Sequence, residues 1–303
     1  MARYGVPYKG SKNAIADWVV DTLPAGERLV DLFAGGCAVT HAAMLRNKWR
    51  RFLINDIGSA PELFRRAING ELQGETRWIS RDDFFLLRDG DPYVKWSWSF
   101  GNDGDSYIYS KQLEPYKKAV HMSIFGDSTK ERYQWHRKAI RELWRLINER
   151  LERLQSLQSL QSLQSLESLE RLESLERLER LERLQSLESL QSLESDYRDV
   201  KLEAGDIVYC DIPYKGTAAE YSKEFDHEAF YEWARAQTAP VFISEYQMPD
   251  DFTVIAETTR RGHLAAKNNS NWVCEKIFAN AAGVTVMPKE PEQMTLSDRE
   301  ECL

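Results

Sequence analysis

Asp211-Ile212-Pro213-Tyr214 sets a carboxylate, a rigid proline and an aromatic ring side by side. The set suits one task. A carboxylate and a backbone carbonyl accept hydrogen bonds from an exocyclic amino group, while the ring stacks on the base that carries it. A plain turn is the competing reading, since Asp and Pro are both common in loops. Two further acids sit in comparable settings. Asp31 lies within Leu29-Val30-Asp31-Leu32-Phe33, just before Ala34-Gly35-Gly36, and Asp56 closes Arg51-Phe52-Leu53-Ile54-Asn55-Asp56. Glycines let a backbone approach a ligand closely. An acid ending the second strand of such a unit commonly holds ribose hydroxyls.

The elements that must position these residues follow from the apolar pattern. Residues 207–210 predict a buried strand, so the tetrapeptide sits at a strand's carboxyl end, where open α/β sheets bind ligands. Residues 29–33 predict a strand, then a glycine turn, then a helix to about Asn47; residues 51–56 predict the next strand. An amphipathic helix is expected over 14–20, with Ser11 as a possible cap. The glycine loop lacks Gly-x-Gly-x-x-Gly and Gly-Lys-Ser/Thr, which disfavours a dinucleotide site and excludes a P-loop.

Tyr8-Lys9-Gly10-Ser11-Lys12, Asp31-Leu32-Phe33-Ala34-Gly35-Gly36, Asp56 and Asp211-Ile212-Pro213-Tyr214 occur in the order seen in Dam-type (class α) DNA adenine-N6 methyltransferases of bacteria and phages. The chain resembles that family over residues 3–60 and 200–280. Phe225-Asp226-His227 and Val241-Phe242-Ile243-Ser244 resemble segments that follow its catalytic motif. The resemblance implies S-adenosylmethionine as cofactor, with Tyr8 and Lys12 near its methionine end. It places Asp31 with Phe33, Ala34, Gly35 and Gly36 around the amino-acid moiety and Asp56 on the ribose. Asp211 and the Ile212 carbonyl would hold the adenine amino group, beside Pro213, with Tyr214 stacked on the base. Where the family usually has Asp-Pro-Pro-Tyr this chain has Ile212, which keeps the carbonyl, adds an N–H and frees φ. The implied function is site-specific methyl transfer to N6 of a flipped-out adenine, as in restriction–modification. Two alternatives stay open: another exocyclic amine (cytosine N4, an RNA adenine), or a silent DNA- or protein-binding module of the same fold.

A net charge of −8 is unfavourable for a DNA partner, because phosphates need positive patches. Much of the excess is local. Nine Glu against five Arg lie in residues 151–195, and five acids against two bases in 288–303. The rest is near neutral and offers Arg46, Lys48, Arg50, Arg51, Arg65, Arg66 and the region 111–138 as basic candidates. Cys37, Cys210, Cys274 and Cys302 have no metal-ligand spacing, nor do the five histidines, so no metal site is expected. No long apolar run predicts a membrane span or leader, so a cytoplasmic location is expected. The oligomeric state is open.

From Leu151 to Leu193 leucine recurs at every third position, fifteen times. In an α-helix a step of three lags a full turn by about 60°, so the leucines would circle all faces of a rod of roughly 65 Å. Such a rod exposes leucine everywhere. One-third leucine is too apolar for disorder. A narrow β-solenoid, with leucines inward and coils about 4.8 Å apart, is favoured over the long helix. The repeat reads as a spacer or surface module.

Residues 61–127 are aromatic-rich. Alternation at Trp96, Trp98 and Phe100 predicts a strand, with a turn at 102–104. Lys9, Trp98, Asn102 and Tyr107 are the candidates for contact with DNA, against core packing for any single ring. Asp82 and Asp83 either approach the cofactor's adenine or cap a helix. The expected architecture is a doubly wound, Rossmann-like α/β methyltransferase core from 1–60 and 200–287. A mostly helical recognition region (61–150), the triplet repeat (151–195) and an acidic tail (288–303) complete it.

Overall fold

The computed structural model describes residues 4–156, 190–215, 225–261 and 272–288. They form two units. One, the sheet unit, comprises the described residues within 15–34, 39–57 and 189–303; the other, the helical unit, comprises those within 1–14, 35–38 and 58–188. In chain order the helices are α1 (Ala16–Thr22), α2 (Ala38–Met44), α3 (Ala60–Ile68), α4 (Arg81–Leu87), α5 (Pro92–Ser97), α6 (Glu114–Phe125), α7 (Thr129–Ser156), α8 (His227–Ala236) and α9 (Ala281–Val286).

The sheet has seven strands: β1 (Arg28–Asp31), β2 (Arg51–Asp56), β3 (Leu190–Glu194), β4 (Asp206–Cys210), β5 (Val241–Glu245), β6 (Thr253–Arg261) and β7 (Trp272–Ala279). Their order is β3-β2-β1-β4-β5-β7-β6. The first five run parallel, and β7 is antiparallel to both β5 and β6. The chain winds outward from β1 to β3, then restarts at β4 on the other side of β1. The carboxyl ends of β1 and β4 therefore flank the point where an open sheet forms a ligand crevice.

A buried ion pair sets the register there. Arg28 Nε and Nη2 donate to Asp206 Oδ1 and Oδ2 at 2.8 and 2.6 Å, and both side chains are buried. Arg28 pairs with Asp206 across β1 and β4, which brings Asp31 level with Tyr209. Removing one partner would strand the other charge, at a cost of about 3–5 kcal/mol. Alternation then sorts the side chains. Val30, Leu32, Val208, Cys210, Ile212, Val241 and Ile243 form a core with Phe230, Tyr231 and Ala234 of α8. Asp31, Tyr209 and Asp211 have the opposite parity.

The two described ends of the triplet repeat behave differently. Residues 151–156 continue α7, while Leu190–Glu194 is β3, an edge strand parallel to β2. In a strand a spacing of three puts Leu190 and Leu193 on opposite faces, and Leu193 is exposed. The solenoid expected for the repeat lies outside the described residues, as does the acidic tail beyond residue 288.

In the helical unit α6 and α7 pack on each other. The strand expected at Trp96 is instead α5. Asp91 caps its start by accepting from the Tyr93 N–H at 3.0 Å, and Pro92 takes the first turn. These start signals override the short aromatic alternation. A 3₁₀ turn lies at Phe100–Asn102, two residues before the turn expected at 102–104, and a Ser99–Tyr107 bridge closes the loop. Asp83 forms a capping box with Ser80 at the start of α4, so the capping alternative describes it. Ser11 does not cap α1: the N-cap position is Ile15, which makes no side-chain cap bond, and Ser11 Oγ has no hydrogen-bond partner among the described residues.

Candidate active site

Three carboxylates of the sheet unit meet at adjoining strand ends. Asp31 closes β1, Asp56 closes β2, and Asp211 follows β4. The main chain around them is cross-tied: Leu32 N–H donates to Tyr209 O at 3.0 Å and Ala34 N–H to Asn55 O at 2.9 Å. Buried Asn55 donates from Nδ2 to Leu32 O (3.2 Å) and to Ser195 O (3.0 Å), and accepts from the Ser195 hydroxyl (2.9 Å). Ser195 N–H also donates to Asp56 O at 3.1 Å. The last residue of the repeat thus braces the end of β2.

Asp31 is buried, and its Oδ2 accepts from Thr40 Oγ1 at 2.7 Å. Its Oδ1 is buried with no hydrogen-bond partner among the described residues. Burial pushes the Asp31 carboxyl up to about 7; the Thr40 bond opposes the rise, and the neighbouring Asp211 and Asp56 charges add to it. An unmatched buried acceptor of this kind fits an ammonium donor. Asp56 is half-buried, and Ile57 beside it is 80% exposed.

The tetrapeptide is held from several sides. Ile212 is 2% exposed and belongs to the α8-side core, which explains an aliphatic side chain there. The Pro213 carbonyl accepts from His227 Nε2 at 2.7 Å. Tyr209 and Ser244 share a hydroxyl–hydroxyl bond of 2.7 Å beneath the site. Phe33 packs against Tyr197, Phe225 and Phe230, with ring centroids 5.3–5.7 Å apart.

The remaining candidates belong to the helical unit. Gly35 (φ +47°) and Gly36 lie against Tyr8: a Cβ on Gly35 would come 2.8 Å from Tyr8 Cε1, and one on Gly36 2.6 Å from Tyr8 Cβ. Only glycine fits either position, so two motifs far apart in sequence are one packed loop. Lys12 opens a 3₁₀ turn, Lys12–Ala14. Exposed Lys9 donates its N–H to Asn102 O at 3.2 Å, and Asn102 Nδ2 donates to Trp96 O at 2.9 Å.

Trp98 and Tyr107 depart from the base-contact role expected of them. Trp98 is fully buried, edge-on to Trp78 at 5.2 Å. Tyr107 is 5% exposed and donates its hydroxyl to Ile79 O at 2.8 Å. Both rings are core of the helical unit; the exposed aromatic nearby is Phe100, at 51%.

A family model for the D12 class of N6 adenine-specific DNA methyltransferases matches residues 8–242. The chain belongs to this family. It is an adenine-specific DNA methyltransferase with S-adenosylmethionine as methyl donor, and its mixed seven-stranded sheet is the α/β methyltransferase-like fold. The search of curated proteins returned no match. Among the described residues no cluster of His, Cys, Asp or Glu suits a metal ion, and no helix is long and apolar enough to cross a membrane.

Sequence reasoning missed Thr40, which donates to Asp31, Asn55, which ties the β1 and β2 ends, and the buried acids Glu245 and Glu275. Glu245 closes β5 as Asp31 closes β1, so the same reading would have found it. Glu275 shares the parity of Val273 and Ile277 within an apolar strand, a buried acid visible in the pattern. The basic candidates also change. Arg46 pairs with Asp17 at 2.9 Å, Arg51 with Glu203 at 3.2 Å, Arg65 with Glu62 at 2.7 Å and Arg66 with Asp91 at 3.1 Å. Lys48 Nζ donates to three carbonyls at the end of α1, those of Val20, Asp21 and Leu23.

Proposed function

We propose that the strand ends of the sheet unit perform a site-specific, Dam-type transfer to a flipped-out adenine, with Asp211, Ile212, Pro213 and Tyr214 as the reacting constellation. The observation that carries this is the convergence of three acids at the β1, β2 and β4 ends, one with an unmatched buried oxygen. Asp31 Oδ1 takes the cofactor's ammonium, Asp56 the ribose hydroxyls, and exposed Ile57 offers apolar surface to the cofactor's base. When bound, S-adenosylmethionine supplies an electrophilic methyl group on a sulfonium. Tyr8, Lys12 and the loop carrying Phe33, Ala34, Gly35 and Gly36 complete the cofactor set. Lys9 and Asn102 remain the candidates for contact with DNA.

Asp211 and the Ile212 carbonyl accept the two N6 hydrogens, which turns the nitrogen lone pair toward the methyl group. The oriented amine would accept the donated methyl group, the sulfonium's bonding pair leaving with its sulfur, and would lose one proton along the Asp211 hydrogen bond. Orientation and fixed acceptors supply the rate enhancement, while extruding the base costs a few kcal/mol.

The test is Asp211→Ala, assayed for methyl transfer to mixed-sequence DNA and for cofactor affinity by calorimetry. Transfer is expected to fall by about a thousandfold or more, with cofactor affinity within a few fold. Parental activity in the variant would remove Asp211 from the chemistry.

A further inference from the structure

Glu275 and Glu245 are buried acids that the transfer chemistry leaves unused. Glu275 lies on β7, and its Oε2 accepts the Tyr214 hydroxyl at 2.8 Å; it is 1% exposed. Out of water, a carboxylate and a phenol each need such a partner. Burial, with Asp211 and Glu275 adding negative charge, pushes the Tyr214 hydroxyl well above its usual range, so Tyr214 is the donor. Glu245, opposite Lys276 in the β5–β7 register, accepts from the Tyr246 N–H at 2.9 Å and the Lys215 N–H at 3.2 Å. Tyr246 stands perpendicular to Tyr214, with centroids 4.6 Å apart. With His227 on the Pro213 carbonyl, the main chain is fixed on both sides of Tyr214. Glu275 then fixes the far end of the ring.

We propose that Glu275 is a positioning residue for methyl transfer: by accepting the Tyr214 hydroxyl it sets the tilt of the ring on which the target adenine stacks. The inference rests on the reading of Tyr214 as the base-stacking residue. A base slides easily on an aromatic face, but in-line attack tolerates little misplacement. The ring's tilt therefore reaches kcat, while cofactor binding, which the reading assigns to Asp31 and Asp56, stays apart from it.

The full-length protein is assayed with labelled methyl donor and mixed-sequence DNA, with cofactor affinity measured separately. Glu275→Ala is expected to lower kcat roughly tenfold or more, with cofactor Kd within about twofold. Glu275→Gln keeps an acceptor oxygen at the same reach and should return kcat to within about threefold of the parent. Tyr214→Phe breaks the same bond from the other side, so it should cost about as much as Glu275→Ala, and combining the two should add little. It also decides the matter if Glu275→Ala does not fold. Parental kcat in Tyr214→Phe, a Gln variant as poor as the Ala variant, or additive losses would overturn the inference. Tyr214→Ala separates the two ideas. Full transfer by that variant removes the stacking reading itself; lost transfer there, with parental kcat in Glu275→Ala, removes only the positioning role.

Discussion

The carboxyl ends of β1, β2 and β4 and the aromatic loop around residues 96–109 carry the same sequence signature, functional-looking side chains beside glycines, yet they put it to different uses. In the sheet unit Asp31 is incompletely satisfied: its Oδ1 is buried with no hydrogen-bond partner among the described residues. In the helical unit the turn at 103–106 spends its polar groups internally, and Ser97 Oγ is a buried exception with no hydrogen-bond partner among the described residues. Asp103 Oδ1 accepts from the N–H groups of Asp105 and Ser106 at 2.9 and 3.0 Å, and Gly104 N–H donates to Ser99 Oγ at 2.9 Å. An unmatched buried carboxylate oxygen at a strand's carboxyl end points to a ligand; polar groups bonded to one another within a turn point to a fold.

The sharpest way to break that contrast is Trp98→Ala. If the ring is core, truncation leaves a cavity and costs roughly 3–5 kcal/mol of stability. Phe100→Ala, at an exposed site, should stay within about 0.5 kcal/mol and act on DNA affinity instead. Denaturant unfolding of both variants reads the difference. Stable Trp98→Ala protein with weakened DNA binding would restore the base-contact role expected from sequence.

The strands that build the site were legible because each is a short apolar run beside a polar residue: 207–210, 51–56 and 29–33 agree with β4, β2 and β1 within about two residues. The acids follow from the same pattern, since an acid inside or at the end of such a run must face a special environment. What sequence could not show is which polar groups neutralise one another. Arg46 and Lys48 read as a basic face until their partners in and after α1 are visible. Trp98 reads as a stacking platform until Trp78 and His121 surround it. β3 was hidden because a triplet spacing matches neither strand nor helix period, and only pairing with β2 selects the strand.

A second effect sharpens the sheet-unit side. On the proposed assignment, Asp31→Ala removes a charge-assisted bond to the cofactor's ammonium, worth about 1.5–3 kcal/mol, so affinity should fall roughly tenfold to a hundredfold. The pH dependence has a definite sign. The Asp31 carboxyl is raised to about 7 in the folded chain, so the folded state holds a proton that the unfolded chain releases near its ordinary carboxylate value. Stability should therefore decline as pH rises from about 4 to 7 and level off above. Cofactor binding needs the ionised form, so its affinity should weaken by up to about tenfold per unit below pH 7. Calorimetry at pH 6 and 8 measures this, and Asp31→Asn should flatten the profile. A pH-independent affinity in the parent would place the ammonium elsewhere.

The smallest effect concerns where DNA phosphates are met. On α7, Tyr133, Arg137, Arg141 and Trp144 are exposed and spaced to share one helical face. In the sheet unit Arg46 and Lys48 are already engaged by Asp17 and by the end of α1. A cation with an internal partner neutralises little phosphate, while a solvated one releases counterions on binding. Arg137→Ala with Arg141→Ala should therefore lower the magnitude of the log-affinity against log-salt slope by about 2. Lys48→Ala should leave that slope unchanged while lowering stability, because three carbonyls lose their donor. Fluorescence anisotropy of labelled duplex over a salt series measures both variants. An unchanged slope in the α7 double variant, or a reduced one in Lys48→Ala, would move the phosphate contacts from the helical unit to the sheet unit.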